Sequence, residues 1–356
     1  MAATVKIGGR DIGPGKPAYI VAEMSANHHQ CFDQAVAILR AARDCGADAV
    51  KLQTYTADTL TIRCEREPFR IGAGTLWSGR YLYDLYAEAH TPWEWQPKLK
   101  TLAGELGLDL FSTPFDDTAV DFLEAMGVPA HKIASFELVD LALVRRVART
   151  GKPILMSTGM ATLGEIEEAV ETAREAGNTQ LVLLKCTSAY PAAPHEMNLR
   201  TIPHMAKAFG VPAGLSDHTL GIAAPVAAVA LGACVIEKHL CLSRGEPGPD
   251  SAFSLEPAEF GEMVRAIRAA EQSLGTVQYH VSEREARSRV FRRSLFVVED
   301  VRAGEALTPR NVRSIRPGHG LAPKYLPLVL RSLAAVDIAR GTPLAWSHLN
   351  SRGDSE

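Results

Sequence analysis

A disulfide framework is the first thing this chain lacks. Its six cysteines, Cys31, Cys45, Cys64, Cys186, Cys234 and Cys241, form no CxxC pair and no regular spacing. At 356 residues the chain can bury a core without covalent staples, so a reducing, cytoplasmic setting is expected. No window approaches the roughly 18 apolar residues of a membrane span, and the opening MAATVKIGGRDIG has no basic stretch followed by an apolar one. Neither a membrane protein nor a secretory signal is expected. Basic residues are nowhere clustered, and the net charge of −3 leaves no broad positive field for nucleic acid. The glycine-rich pieces IGGRDIGPG and RIGAG do not follow a strand and open a helix, which excludes a dinucleotide or P-loop fingerprint.

What is present is the ordinary balance of a globular protein, 46% hydrophobic and 22% charged. From Pro17 to Leu274, short apolar runs alternate with stretches of helical period. The runs are AYIVAEMS, AVKLQTY, LDLFSTPF, AHKIASFE, PILMSTGM, LVLLKCTS, PAGLSDHT and CVIEKHL, each as apolar as a strand buried on both faces. Eight strand–helix units match a closed (β/α)8 TIM barrel in size and count, with an open doubly wound sheet as the alternative. After the second run comes a long connection, Thr54 to Thr91, which reads as a lid or binding element, or else as a surface excursion or oligomer contact. The expected organisation is a catalytic barrel over 1–275, a linker over 276–290 and a small domain over 291–356. Within the last, Asp300-Val301, Gly304, Leu307 and Asn311-Val312 recur as Asp337-Ile338, Gly341, Leu344 and His348-Leu349, the mark of a pseudo-twofold fold.

A barrel of this kind carries its active site at the C-terminal strand ends. Nearly every run ends in polar residues: Glu23 with Asn27 and His28; Lys51 and Gln53; Ser112 and Thr113; Lys132, Ser135 and Glu137; Ser157 and Thr158; Lys185, Thr187, Ser188 and Tyr190; Ser216, Asp217 and His218; Glu237, Lys238 and His239. Lysines at buried strand ends, Lys51, Lys132 and Lys238, are expensive to desolvate unless an anion meets them, which points to a phosphate or carboxylate ligand. His218 and His239, closing adjacent strands, could share a labile divalent ion, Mn²⁺ or Mg²⁺ rather than a closed zinc site, or could serve as general bases or structural groups. His28 and His29 read as local caps, and His131 as structural.

The ordered segments IVAEMSANH, VKLQTYTADTLT, FSTPF, KIASFE, STGM, GLSDHTLG and EKHL resemble the sialic acid synthase family, and FRRSLFV with RPGHG resembles its antifreeze-like (SAF) domain. Within that family, LWSGRYLYDLYAEAHTPWEW, LKCTSAYP and DSAFSLEP are more similar to pseudaminic acid synthases than to N-acetylneuraminate synthases. Ser188 and Ser135-Phe136-Glu137 stand where the neuraminate enzymes carry an Asn and an S-G-E, which turns expectation away from N-acetylmannosamine.

The resemblance implies a metal-dependent transferase that joins phosphoenolpyruvate to an amino-sugar aldehyde, with a divalent metal (Mn²⁺, Mg²⁺ or Co²⁺) on His218 and His239. It implies that Lys51, Thr113, Lys132, Ser135, Ser157 and Ser216 hold phosphoenolpyruvate, and that Gln53, Glu137, Tyr190 and Asp250 face the sugar. Ser188 and Asp217 are counted with the substrate-binding residues, and Glu23 lies near the metal, with Glu23 and Glu137 as candidate bases. A domain-swapped homodimer follows from the same resemblance, with Arg316 reaching the sugar across it. Two other classes compete: a Schiff-base lyase, which would leave the two histidines without a role, and a catalytically idle carbohydrate-binding protein.

Overall fold

Two short strands, β1 (Val5–Ile7) and β2 (Arg10–Ile12), pair antiparallel before the repeating units begin. The eight apolar runs then become eight parallel strands: β3 (Tyr19–Glu23), β4 (Ala49–Thr54), β5 (Asp109–Pro114), β6 (His131–Ile133), β7 (Ile154–Ser157), β8 (Leu181–Cys186), β9 (Ala213–Asp217) and β10 (Val235–His239). They close in sequence order, with β10 hydrogen-bonded to β3, so the open-sheet alternative is excluded. The computed structural model describes residues 4–351 and separates into two compact units, Met1–Gly275 and Thr276–Glu356.

Strand parity sorts the barrel's side chains into two cores, because successive residues point to opposite faces. Ile20, Ala22, Val50, Leu52, Leu110, Met156, Leu183, Leu215 and Ile236 face the helices. There they meet faces such as Ala35, Ile38, Leu39 and Ala42 of the helix Phe32–Asp44, spaced by three and four residues. Tyr19, Val21, Ala49, Phe111, Leu155, Val182, Leu184 and Val235 face inward and pack with Val5, Ile7 and Ile12 of the hairpin. The hairpin thus plugs the end of the barrel at which the strands begin, and polar lumenal residues collect at the other.

Gly214 on β9 shows how little room the lumen has: a Cβ there would lie 2.4 Å from the Val235 carbonyl and 2.8 Å from Leu184 Cδ2. Gly214→Ala is expected to cost about 1–3 kcal/mol by overpacking. A lowered urea midpoint with unchanged slope checks it, and an unchanged midpoint would refute the crowding.

The connection after β4 is structured. It holds the helices Ala57–Leu60 and Leu82–Ala89 and is tied to the loops that follow β3 and β10. Gln30 Nε2 donates to the Glu88 carbonyl at 2.8 Å, His28 Nε2 meets Thr91 Oγ1 at 3.2 Å, and the Trp77 indole donates to the Pro249 carbonyl at 2.8 Å. His28 also accepts from the Gln30 amide, the local cap expected for it, while His131 pairs with Glu124.

In the second unit β11 (Ser294–Val297) pairs with β12 (Val312–Ile315), and β13 (Ser332–Ala334) with β14 (Leu349–Ser351). Equivalent positions of the sequence repeat meet each other. Val301 and Ile338 exchange backbone hydrogen bonds at 2.9 and 2.7 Å, while the Asp300 carboxylate accepts from the Arg340 amide and the Asp337 carboxylate from the Ala303 amide, both at 2.7 Å. Val301, Leu307, Ile338 and Leu344 form the centre of this small core. Arg316 is exposed just after β12.

Candidate active site

Parity also builds the site. Counting inward from the apolar lumen, the last lumenal positions are Glu23 on β3, Lys51 and Gln53 on β4, Thr113 on β5, Lys132 on β6, Ser157 on β7, Cys186 on β8, Ser216 on β9, and Glu237 and His239 on β10. All but Gln53 are buried, and all lie at the C-terminal ends of their strands.

A charged network occupies the floor. Lys51 Nζ lies 2.6 Å from Glu23 and 3.8 Å from Glu237, and Lys132 Nζ donates to both Glu237 oxygens at 2.9 and 3.1 Å. Ser216 Oγ donates to the same carboxylate at 2.9 Å, and Lys51 lies 3.4 Å from Thr113 Oγ1. Burial pushes the Glu237 carboxyl upward, but Lys132 and Lys51 overcome it and hold the group at about 2. Glu23, with one lysine beside it and the Glu237 charge nearby, is instead raised by burial. Two ammonium groups and two carboxylates therefore meet in one dry space, which they can occupy only because each neutralises another.

The loops add the rest. Ser135 and Glu137 follow β6, where Ser135 Oγ accepts from the Gly159 amide at 3.1 Å. Burial raises Glu137 to about 7, inside the range of a general acid or base. Gln53 Nε2 donates to Glu23 at 3.1 Å and to Ser25 Oγ at 2.9 Å, and Ser25 in turn hydrogen-bonds Asp250 from the loop after β10. Ser157 Oγ, Ser188 Oγ and one Glu137 oxygen are buried without a protein partner. Buried polar atoms of this kind are rare unless a ligand or water completes them.

His218 and His239 lie with ring centroids 5.3 Å apart. The His218 Nδ1 faces the Thr187 carbonyl at 3.0 Å, which places a proton there; burial opposes charge on this ring, but the Cys186 thiol and that carbonyl raise it above its ordinary value. Burial drives His239 well below its ordinary value, aided by His218 and three lysines, so its ring stays neutral; its Nδ1 has no protein partner. Two imidazoles at adjacent strand ends, His239 neutral and with a free Nδ1, form a donor pair that fits an exchangeable divalent ion completed by water or substrate oxygen. Among the described residues no group of three or more histidine, cysteine or acidic side chains is arranged to hold a metal ion, so only the histidine pair is available as protein ligands. Tyr190 lies 4.4 Å from His218, and Phe253 packs 4.8 Å from His239.

Two expectations are corrected. Asp217, counted with the substrate-binding residues, has the opposite parity to Ser216 and points into the helical layer. Its oxygens take Lys238 Nζ at 2.6 Å and the Thr219 amide and hydroxyl at 3.0 Å each. Lys238, for which an external anion was expected, is satisfied by that carboxylate and by the Thr219 carbonyl. One-residue alternation separates both from the site.

Two lumenal residues escaped the sequence reading. Glu237 appeared only as one strand-end polar group among many, yet it joins both lysines and Ser216; its parity with His239 was the available signal. Cys186 was counted only among the six cysteines that form no framework, yet its Sγ lies 3.9 Å from His218 Nδ1. Burial pushes this thiol up, and His218, Ser135 and Lys132 together bring it down to about 7.

Known proteins share this architecture. Residues 38–279 match the NeuB family and residues 292–350 the SAF domain. The chain is 44% identical over 331 residues to the pseudaminic acid synthase of Helicobacter pylori, covering 93% of this chain and 97% of that protein. It is 36% identical over 362 residues to the N,N'-diacetyllegionaminic acid synthase of Legionella pneumophila, covering 99% and 100%. A solved structure of N-acetylneuraminic acid synthetase from Leptospira borgpetersenii, in complex with citrate, superposes with a TM-score of 0.72 at 29% identity, over 81% of this chain and 95% of that one. A strand-ordered barrel with this lumen, followed by the SAF unit and matched along nearly its whole length, makes the chain a member of the NeuB family.

Proposed function

We propose that the chain condenses phosphoenolpyruvate with 2,4-diacetamido-2,4,6-trideoxy-L-altrose to give pseudaminic acid and phosphate. The observation that carries this reading is the lumen itself: two buried lysines ringed by hydroxyls, with a pair of imidazoles at the same strand ends, in a chain whose near relatives include pseudaminic acid synthases. An N-acetylneuraminate or legionaminate synthase is the alternative, since a change of sugar needs only a few pocket residues.

In this reading Lys51 and Lys132 hold the phosphate and carboxylate of phosphoenolpyruvate, with Thr113, Ser135, Ser157 and Ser216 donating to its oxygens. A divalent cation on His218 and His239, whether Mn²⁺, Mg²⁺ or Co²⁺, supplies Lewis-acid polarisation of the aldehyde. Carbon 3 of phosphoenolpyruvate bonds to the aldehyde carbon, water adds at carbon 2, and the bond from carbon 2 to the phosphate oxygen breaks. The water gives up both protons: one goes to the aldehyde oxygen as it becomes a hydroxyl, the other to the departing phosphate as carbon 2 becomes a ketone. Glu137, balanced near neutrality and facing Lys132, can hold one of them in between, while Glu23 beside Lys51 is the other candidate base. The lysines oppose charge on the departing phosphate throughout. Gln53, Ser188, Tyr190 and Asp250 line the sugar side. The reading includes a domain-swapped homodimer, with Arg316 supplied to the sugar by the other subunit.

Phosphate release with Mn²⁺ and phosphoenolpyruvate tests the substrate. Turnover of the trideoxy altrose in preference to N-acetylmannosamine supports the reading; turnover of N-acetylmannosamine alone overturns the sugar and keeps the reaction. Glu137 makes a second test. The unprotonated base predominates above its value of about 7, so kcat/KM is expected to fall as pH drops through that point. Glu137→Gln should remove that limb and lower the plateau by about 10²-fold or more. An intact acid limb in the variant would pass the role to Glu23.

A further inference from the structure

Trp77 belongs to the long connection after β4, and the proposed chemistry leaves it unused. Its neighbours Thr75, Leu76, Ser78 and Gly79 are exposed, Leu76 to 49%, while the indole itself is half-buried. The ring stands 5.5 Å from that of Tyr190, which stands 4.4 Å from His218. Tyr190 thus links the indole to the imidazole pair, so a sugar that has its aldehyde carbon at that pair and lies along these rings reaches Trp77. The indole N–H, the only polar group on this side chain, is spent on the Pro249 carbonyl at 2.8 Å, next to Asp250. What Trp77 offers a substrate is therefore apolar surface alone.

We infer that Trp77 is a specificity-determining residue, which packs with Tyr190 against the end of the sugar remote from its aldehyde and favours a methyl group there over a hydroxyl. The inference rests on the sugar proposed above, which carries a 6-methyl group and an acetamido methyl at carbon 4 where N-acetylmannosamine carries hydroxyls. The indole face has no free donor or acceptor, so a hydroxyl at carbon 6 packed on it is left unpaired and desolvated, whereas a methyl gains contact.

The test compares 2,4-diacetamido-2,4,6-trideoxy-L-altrose with its 6-hydroxy counterpart, in wild type, Trp77→Ala and Trp77→Phe, by phosphate release. Wild type should prefer the 6-deoxy sugar at least about 10-fold in kcat/KM. Trp77→Ala should raise KM for that sugar by a similar factor and reduce the preference to about threefold or less, with KM for phosphoenolpyruvate unchanged. Trp77→Phe, which keeps an apolar ring without the link to Pro249, should retain most of the preference. If Trp77→Ala lowers kcat for both sugars equally, or raises KM for phosphoenolpyruvate, the indole only clasps the loops and the inference fails. A wild type that uses the 6-deoxy sugar while Trp77→Ala keeps the full preference also defeats it. A wild type that turns over N-acetylmannosamine and neither altrose defeats the underlying substrate reading, and the methyl recognition with it.

Discussion

Glu237→Gln is expected to lower the stability of the unliganded protein by about 3–5 kcal/mol, the usual cost of removing one partner from a buried ion pair. The magnitude follows from how many groups share this carboxylate. It takes Lys132 on both oxygens, lies within reach of Lys51 and accepts from Ser216, with the charged side chains of this group all nearly fully buried. Glutamine keeps the shape and loses the charge. Lys51 retains Glu23, but Lys132 is left to shed its proton or to carry an unpaired charge in the lumen. An external anion can replace the missing carboxylate, so phosphoenolpyruvate or inorganic phosphate should raise the melting temperature of the variant more than that of wild type.

The pH dependence has a definite sign. A carboxyl held at about 2 when folded contributes stability above its ordinary value near 4.5, and that contribution is lost as pH falls from there toward 2. Wild type should therefore lose its advantage over Glu237→Gln across that acid window. Thermal unfolding at pH 7 and pH 4, with and without phosphate, reads both effects. A variant as stable as wild type at pH 7 would show that the lysines find partners elsewhere.

His239→Ala should reduce phosphate release by about 10³-fold or more, the several kcal/mol that a Lewis acid contributes to a developing alkoxide. The loss should appear in kcat more than in KM for phosphoenolpyruvate, because the lysine cradle is built by other strands. His239 is a better probe than His218, whose ring also touches Cys186 and the Thr187 carbonyl and whose removal would disturb both. Calorimetric titration of the metal-stripped protein with Mn²⁺ should show binding to wild type and a large loss of affinity in the variant, with circular dichroism unchanged. Retained turnover, or unaltered Mn²⁺ affinity, would remove the metal role from this imidazole.

Much of the fold was legible in the chain because a barrel is assembled from local rules. Eight runs buried on both faces, separated by amphipathic helices, leave few topologies, and the repeat of Asp300-Val301 in Asp337-Ile338 announced a pseudo-twofold unit that the exchanged hydrogen bonds display. Strand-end residues such as Lys51, Lys132 and His239 could be named from the same reasoning, since the end of an apolar run is visible in one dimension. Which of two adjacent polar residues enters the lumen was not. Ser216 faces Glu237 while Asp217 turns to Lys238, and only the closed sheet fixes that parity. Long-range electrostatics were invisible for the same reason. Glu237 and Lys132 are 105 positions apart in sequence and bonded in space, and the value near 7 of Glu137 comes from a burial that no local pattern encodes. The sequence by itself determined which elements form and where polar chemistry gathers; tertiary closure decided which charges meet, because it alone brings distant strands within hydrogen-bond reach and removes the water between them.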